Sequence, residues 1–168
     1  MRADPLFVDL RIALENARPI CRLLSDHLAA GDSELAALTA TQRVLLDAGL
    51  AQMIQSVYVA VENILLKIAA GVDGGVPAKE ENWHAALLAR MANAFPGRRP
   101  AVLSAQSMDI LTKLRGFRHV ARNTYAHQLD HDRLVSNARI AVELLPKLTA
   151  DIDALESHML SDPSTSST

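Results

Sequence analysis

The chain has 168 residues, enough for one domain with a substantial core, and its 49% hydrophobic and 21% charged residues exclude a disordered protein. It contains 27 Ala and 25 Leu but only seven Gly, seven Pro and 4% aromatic residues, so the composition favours helices and excludes a β-rich fold. The formal net charge of −2 means that a nucleic-acid partner would need a local basic patch.

The first two predicted helices are long. Apolar residues alternate three- and four-residue spacings from Phe7 to Leu28, which predicts a helix of about six turns. Pro19 lies off this apolar face and is expected to kink the helix without ending it, whereas Gly31 is expected to end it. A second helix is predicted over about residues 41–70. Its apolar face consists of Leu46, Leu50, Ile54, Val57, Val61, Leu65 and Ile68.

A loop and a short helix are expected next. Residues 71–81 hold three of the seven Gly and predict a loop. Asn82 is a candidate N-cap for a short helix from Trp83 to Phe95. The Pro-Gly-Arg-Arg-Pro sequence at 96–100 then predicts a turn.

Two further helices follow this turn. Ser104 is expected to cap the fourth helix and Asp130 the fifth. The fifth helix is predicted to continue to about Leu155, with a kink expected at Pro146. The apolar face of the fourth helix consists of Ile110, Leu114, Phe117 and Ala121.

These elements predict a single all-α domain over residues 1–160, followed by a disordered Ser/Thr tail at 161–168. The architecture expected is a kinked, mostly antiparallel bundle of four long helices and one short helix. The single cysteine, Cys21, lies on an apolar helix face, excludes an internal disulfide and fits a reducing cytoplasm. The N-terminal residues, which include Asp4 and Asp9, show no signal-peptide pattern, so a cytoplasmic location is expected. Neither a metal site nor a cofactor is expected, since the six His lack metal-ligand spacing and no glycine-rich phosphate loop follows a strand.

The fourth helix is expected to carry a basic face. No acidic residue lies between Asp109 and Asp130, and three Arg and one His of this segment fall within about 100° of one another around the helix. The basic residues of the segment are Lys113, Arg115, Arg118, His119 and Arg122. Such a face could be solvated, paired with acids of other helices, or bound to phosphates. The arginines favour phosphates, because a planar guanidinium can bind phosphate through two hydrogen bonds.

The end of this helix contains an Arg-Asn-x3-His motif, formed by Arg122, Asn123 and His127. An Arg can bind a phosphate, an Asn can orient the Arg or a ribose hydroxyl, and a His can transfer a proton near pH 7. These groups suffice for metal-free RNA cleavage, in which the 2′-hydroxyl attacks the adjacent phosphate. Residues five apart in a straight helix point about 140° apart. Arg122 and His127 therefore converge only if the helix ends near Tyr125 or if two subunits share the site.

This motif, on the penultimate long helix of a small bundle, resembles the HEPN superfamily, the higher eukaryotes and prokaryotes nucleotide-binding domains, and within it the HepT-like ribonucleases. The resemblance spans about residues 45–135. Its blocks are Tyr58-x3-Glu62-Asn63, Asn82-Trp83-His84, Leu87-Leu88, Arg99-Pro100-Ala101-Val102, Arg115-Gly116-Phe117-Arg118-His119-x2-Arg122-Asn123 and Leu129-Asp130.

The resemblance implies a homodimer whose motif helices face each other, and a metal-independent endoribonuclease toxin with a minimal nucleotidyltransferase as antitoxin. It assigns phosphate binding to Arg122, orientation to Asn123 and acid–base chemistry to His127. His119 is the alternative catalytic His. Arg115, Arg118 and Lys113 are expected to bind RNA phosphates, with Tyr125 and Glu62 in support.

The chain departs from the family pattern in one respect. HepT-like proteins often continue the motif as His-x-Tyr, and the antitoxin adenylylates that Tyr, whereas this chain has Leu129 there. This departure argues against control by adenylylation. Because some members of the superfamily are inactive and only bind, the alternative function is a catalytically inactive helical module that binds a nucleotidyltransferase or a nucleic acid.

Two other expectations concern side chains outside the motif. His84 is expected to be a structural hydrogen-bonding residue. Tyr58 and Glu62, one turn apart, are expected to form a helix-surface pair, unless Glu62 neutralises an Arg of the basic face.

Overall fold

The computed structural model describes residues 4–78 and 80–161, and this part of the chain is helical with no β-strand. The predicted all-α fold is confirmed: four long helices, α1, α3, α5 and α6, form the bundle together with the shorter α4. The apolar periodicity did not predict α2, which is only five residues long, or a 3₁₀ turn between α5 and α6. The helices are α1 Pro5–Ala29, α2 Asp32–Ala36, α3 Ala40–Gly71, α4 Trp83–Ala92, α5 Ala105–Asn123 and α6 His131–Ser161, and the 3₁₀ turn is Ala126–Gln128.

The core lies where α1, α3 and α6 pack against one another, and α5 closes it by packing on α3 and α6. Each predicted apolar face is turned inward, and burying a single Leu or Ile side chain contributes roughly 1.5–3 kcal/mol. Cys21 is buried on α1 as expected. The shorter α4 packs against α3 and α5, and this packing sets the position of the site described below.

Two of the three predicted N-cap residues cap their helices with a side-chain hydrogen bond. The Ser104 hydroxyl accepts a hydrogen bond from the Ser107 amide, and the Asp130 carboxylate accepts one from the Arg133 amide. Asn82 occupies the N-cap position of α4, but its side chain makes no capping hydrogen bond, so the cap predicted there is wrong in its chemistry. Pro19 and Pro146 lie inside α1 and α6, and both helices continue past them as predicted.

The short helix α4 ends at Ala92 and not at the predicted Phe95. The reason is tertiary. The Arg99 guanidinium donates to the carbonyls of Arg90 and Asn93, and the amides of residues 102 and 103 donate to the Met91 carbonyl. These donors take up the terminal carbonyls of α4, which a further helical turn would otherwise use.

A buried ion pair fastens the loop after α3 to the turn before α5. Asp73 and Arg99 have fully buried side chains, and the Arg99 Nε atom lies 2.6 Å from Asp73 Oδ1. Arg90 of α4 donates to the other carboxylate oxygen of Asp73 at 2.7 Å. The ion pair thereby connects α3, α4 and the 96–100 turn. Gly74 beside it has φ +78°, and a Cβ atom there would lie 2.8 Å from Arg98 Nη1.

By length and composition α3 could cross a membrane, since its most apolar 18 residues have a mean hydropathy of 1.5. Within the bundle α3 packs against α1, α4, α5 and α6. The central core helix of a bundle has the same length and composition, which makes this feature weak evidence for a membrane span.

The disordered tail predicted at 161–168 lies outside the described residues except for Ser161, which is the last residue of α6.

Candidate functional site

A cleft of about 660 Å³ lies between α4 and α5, and we call it the cationic cleft. One wall is the basic face predicted on α5, and the opposite wall is the start of α4 with the residues before it. Gly116 lies in the α5 wall, where the absence of a side chain leaves room for a ligand. The lining residues are Glu81, Asn82, His84, Ala85, Arg115, Gly116, Arg118, His119, Arg122 and Asn123.

Three side chains of the cationic cleft have no acidic partner. Within residues 4–78 and 80–161, the side chains of Arg115, His119 and Arg122 form no ion pair and no hydrogen bond. Lys113, also predicted to bind phosphate, differs from them because it pairs with Asp109 at 2.7 Å on the exposed face of α5 and does not line the cleft. Pairing with acids of other helices therefore does not account for the charge of the cleft.

Arg118 is the exception, because a chain of contacts holds its side chain. The Glu62 carboxylate of α3 contacts His84 Nδ1, and His84 Nε2 lies 3.0 Å from Arg118 Nη1. Since a guanidinium only donates, His84 Nε2 accepts the hydrogen bond and His84 Nδ1 carries the proton that faces Glu62. We call these three residues the Glu62–His84–Arg118 chain.

Tyr58 and Glu62 are both buried, at 0% and 3% exposed, so the helix-surface pair expected for them is wrong. The cause is their position on the inner side of α3, where α4 and α5 cover them. Burial of the Tyr58 ring, with the negative charge of Glu62 nearby, raises the pKa of Tyr58 well above its usual range. The guanidinium carbon of Arg118 lies 5.9 Å from the centre of the Tyr58 ring, a distance suited to a cation–π contact.

Helix α5 ends within the Arg-Asn-x3-His motif. Its last residue is Asn123, and Thr124 is already extended. The side-chain amide of Asn123 donates to the backbone carbonyl of His119 at 2.9 Å. This nitrogen is therefore bound to the end of the helix and not to Arg122. The motif thus meets the condition that the helix ends before Tyr125.

His127 lies on the 3₁₀ turn, outside the cationic cleft of its own chain. Its exposed ring faces that of Tyr125, with ring centres 5.9 Å apart and an angle of 15° between the planes. Tyr125 is 73% exposed. The structure therefore brings Arg122, Asn123 and His119 together in the cleft and leaves His127 beside Tyr125. Leu129, at the position of the family Tyr, packs against the core.

A second groove of about 400 Å³ runs along the other side of the α5 basic face, between α5 and α3. Arg118 and Arg122 line both the groove and the cationic cleft, so they form a ridge between the two. The remaining lining residues are polar or small, apart from Val59: Gln52, Gln55, Ser56, Val59, Ala60 and Asn63.

The helical pattern did not predict the part that α4 contributes to the site. His84 forms hydrogen bonds, as expected, but it also lines the cleft, and so does Asn82. Both belong to the Asn82-Trp83-His84 block of the resemblance. That block was the available signal. The described residues contain no group of three or more His, Cys, Asp or Glu arranged to hold a metal ion.

Comparison with known proteins identifies one family. The family model described as HepT-like protein matches residues 49–159, which include most of α3, all of α4 and α5, and most of α6. Every residue that lines the cationic cleft lies inside this match. No curated protein and no solved structure matches the chain.

Proposed function

The chain belongs to the HepT-like protein family, and on this premise we propose that it is a metal-independent endoribonuclease, the toxin of a toxin–antitoxin pair. In this proposal the protein is cytoplasmic and acts as a homodimer, and its antitoxin is a minimal nucleotidyltransferase. The observation that carries the proposal is the cationic cleft, in which Arg115, His119 and Arg122 have no acidic partner among the described residues.

The charge distribution supports a polyanionic substrate. The protein as a whole carries a formal net charge of −2, yet three arginines line one cleft of about 660 Å³. Unpaired like charges three and four residues apart cost helix stability, and a bound phosphate removes that cost. Guanidinium groups also match the oxygen geometry of a phosphodiester.

The proposed reaction is an internal phosphoryl transfer. A histidine takes the proton of the ribose 2′-hydroxyl, the 2′-oxygen attacks the phosphorus, and the bond from phosphorus to the 5′-oxygen breaks. The leaving 5′-oxygen takes up a proton, and the products are a 2′,3′-cyclic phosphate and a 5′-hydroxyl. Arg122 stabilises the negative charge that develops on the phosphorane oxygens. Within one chain, His119 would transfer the proton, because it lines the cleft with Arg122. His127 would act in a site shared by two subunits.

Single alanine variants test both the reaction and the identity of the histidine. We expect Arg122→Ala to slow RNA cleavage by about 10²- to 10⁴-fold, because a charge contact in the transition state is lost. One of His119→Ala and His127→Ala is expected to do the same. Initial rates on a fluorescent single-stranded RNA, with circular dichroism to confirm folding, give the measurement.

Arg11→Ala is the matched control, because Arg11 pairs with Asp153 and Glu156 on α6, and α1 packs mainly against α3 and α6. Its cleavage rate should equal that of the wild type. A wild type that cleaves no RNA, together with variants that still bind the nucleotidyltransferase, would contradict the ribonuclease proposal.

That outcome would favour the alternative, a catalytically inactive module that binds a nucleotidyltransferase or a nucleic acid. The observation in its favour is the second groove, where Val59 of α3 is 38% exposed. Val120 of α5, which does not line this groove, is also 38% exposed. Exposed apolar side chains next to a basic ridge suit a protein partner as well as an RNA.

A further inference from the structure

We propose that Glu62 and His84 are positioning residues that hold the Arg118 guanidinium in the cationic cleft, ready to contact a phosphate of the RNA. The identity of the ligand rests on the proposed function. The assignment of the two positioning residues rests on the Glu62–His84–Arg118 chain, whose members belong to α3, α4 and α5.

The first member of the Glu62–His84–Arg118 chain is a carboxylate in the core. Glu62 is 3% exposed, and a buried carboxylate is stable only when it is paired and hydrogen-bonded. Its partner is His84 Nδ1. The fold therefore keeps the imidazole of His84 directed at Glu62, as a carboxylate beside a catalytic or metal-bound histidine does.

A second contact fixes the plane of the imidazole. The rings of Trp83 and His84 lie with their centres 3.8 Å apart and their planes 32° apart. With Nδ1 committed to Glu62 and one ring face covered by the indole, Nε2 points into the cationic cleft, where Arg118 Nη1 lies 3.0 Å away.

The consequence for Arg118 is preorganisation. A free arginine loses rotamer freedom when a ligand fixes it, and this loss opposes binding. Arg118 has lost that freedom already, because His84 accepts from one of its five N–H groups and the Tyr58 ring lies under its guanidinium. The remaining N–H groups are left for a phosphate. Arg115 and Arg122, without such contacts among the described residues, have still to be ordered on binding.

This arrangement requires a neutral His84. If Nε2 carried a proton, two donors would face each other at 3.0 Å, and the imidazolium would repel the guanidinium. Glu62 and Arg118 contact His84 directly. The other titratable or charged residues that line the cleft with His84 are Glu81, Arg115, His119 and Arg122.

The first test reads the tautomer directly, on the wild-type full chain without RNA. Long-range ¹H–¹⁵N spectra at pH 7.5, with His84 assigned by comparison with a Glu62→Gln/His84→Ala variant, are expected to show a neutral ring protonated at Nδ1. A ring protonated at Nε2, or an imidazolium, would overturn the proposal whether or not the protein cleaves RNA.

The second test is a double-mutant cycle on the binding of 2′-O-methyl RNA, which cannot be cleaved. Because His84→Ala alone leaves a buried carboxylate without its partner, the cycle is made in a Glu62→Gln background, which removes that charge. There we expect His84→Ala to weaken binding about threefold to tenfold, the effect of disordering one side chain. In a protein that also carries Arg118→Ala, His84→Ala should not change the affinity for this RNA.

An effect of His84→Ala that persists without Arg118, or a wild type that does not bind this RNA, would overturn the proposal. Failure of the ribonuclease function would give a different result: the protein would cleave no RNA, but His84→Ala would still weaken RNA binding only when Arg118 is present.

Discussion

Arg99 and Arg118 are each connected to a buried carboxylate, Arg99 directly and Arg118 through a histidine, and this difference separates a structural arginine from a functional one. Arg99 is fully buried and donates to Asp73 and to three backbone carbonyls, so its donors are occupied. Arg118 reaches its carboxylate only through His84 and lines the cationic cleft. A guanidinium whose donors are used up can only hold the fold together, whereas one with free donors can bind a ligand.

The buried ion pair should therefore govern stability. We expect Asp73→Ala to lower the free energy of unfolding by about 3–5 kcal/mol, because Arg99 is left as an uncompensated buried charge. Urea denaturation followed by circular dichroism gives the measurement. Asp109→Ala is the control, since the exposed pair of Asp109 with Lys113 contributes only about 0.3–0.5 kcal/mol. Equal effects of the two variants would contradict this prediction.

A histidine cluster away from the cleft should make stability depend on pH. Burial, and then the neighbouring His131, lower the pKa of His27 below its usual value of about 6.5. As the pH falls below about 6.5, the unfolded chain takes up a proton before the folded chain does, so the folded state loses stability. The loss levels off below the folded pKa. His27→Gln should reduce the pH dependence of the urea midpoint between about pH 6.5 and 5. If the midpoint of this variant changes with pH as much as that of the wild type, another group is responsible.

At the scale of single residues, the sequence predicted what a local pattern can encode. The helical angle placed Arg115, Arg118, His119 and Arg122 on one face, and all four line one cleft. The Glu62–His84–Arg118 chain could not be predicted in this way, because its contacts join residues 22 and 34 positions apart. Only the packing of α4 against α3 and α5 makes these residues neighbours.

At the scale of elements, helix existence and type followed from periodicity, while some helix ends depended on distant groups. The start of α5 follows from Ser104 itself, since the cap is local. The end of α4 does not, because the donors that end it belong to Arg99 and to residues 102 and 103. The 3₁₀ turn that carries His127 was likewise outside the reach of a periodic pattern.

Helix α5 contains one position where stability and site shape are opposed. Gly116 lies in the helix interior, where Gly costs roughly 1 kcal/mol relative to Ala, and a Cβ atom there would meet nothing within 4 Å. We expect Gly116→Ala to raise the melting temperature by about 2–4 °C, measured by thermal circular dichroism. Gly97→Ala should lower it, because Gly97 has φ +74° and an alanine there is strained. If Gly116→Ala were destabilising, the space beside Gly116 would not be open.

At the scale of the whole molecule, the proposed homodimer determines how strongly salt should act on RNA binding. Each chain contributes Arg115, Arg118 and Arg122 to its cationic cleft, so a dimer that binds one RNA across both clefts could neutralise about six phosphates. For single strands the slope of log affinity against log salt is about −0.7 per phosphate. A dimer should therefore show a slope of about −4, which amounts to a loss of a few hundredfold between about 50 and 200 mM salt.

Arg122→Ala separates the dimer from the monomer in the same titration. If two subunits share one RNA, the variant removes two phosphate contacts and the slope should become shallower by about 1.4, whereas a monomer would lose one contact and about 0.7. Fluorescence anisotropy of a labelled 2′-O-methyl RNA at four salt concentrations gives the slope, and light scattering at the same concentration gives the mass, with 18.2 kDa expected for one chain. Arg11→Ala controls for the loss of one positive charge, because Arg11 pairs with acids on α6. If Arg122→Ala leaves the slope unchanged, RNA binds elsewhere than the cationic cleft. If the slope changes by 0.7 and the protein has the mass of a monomer, two subunits do not share a site. His127 could then not act in the proposed reaction.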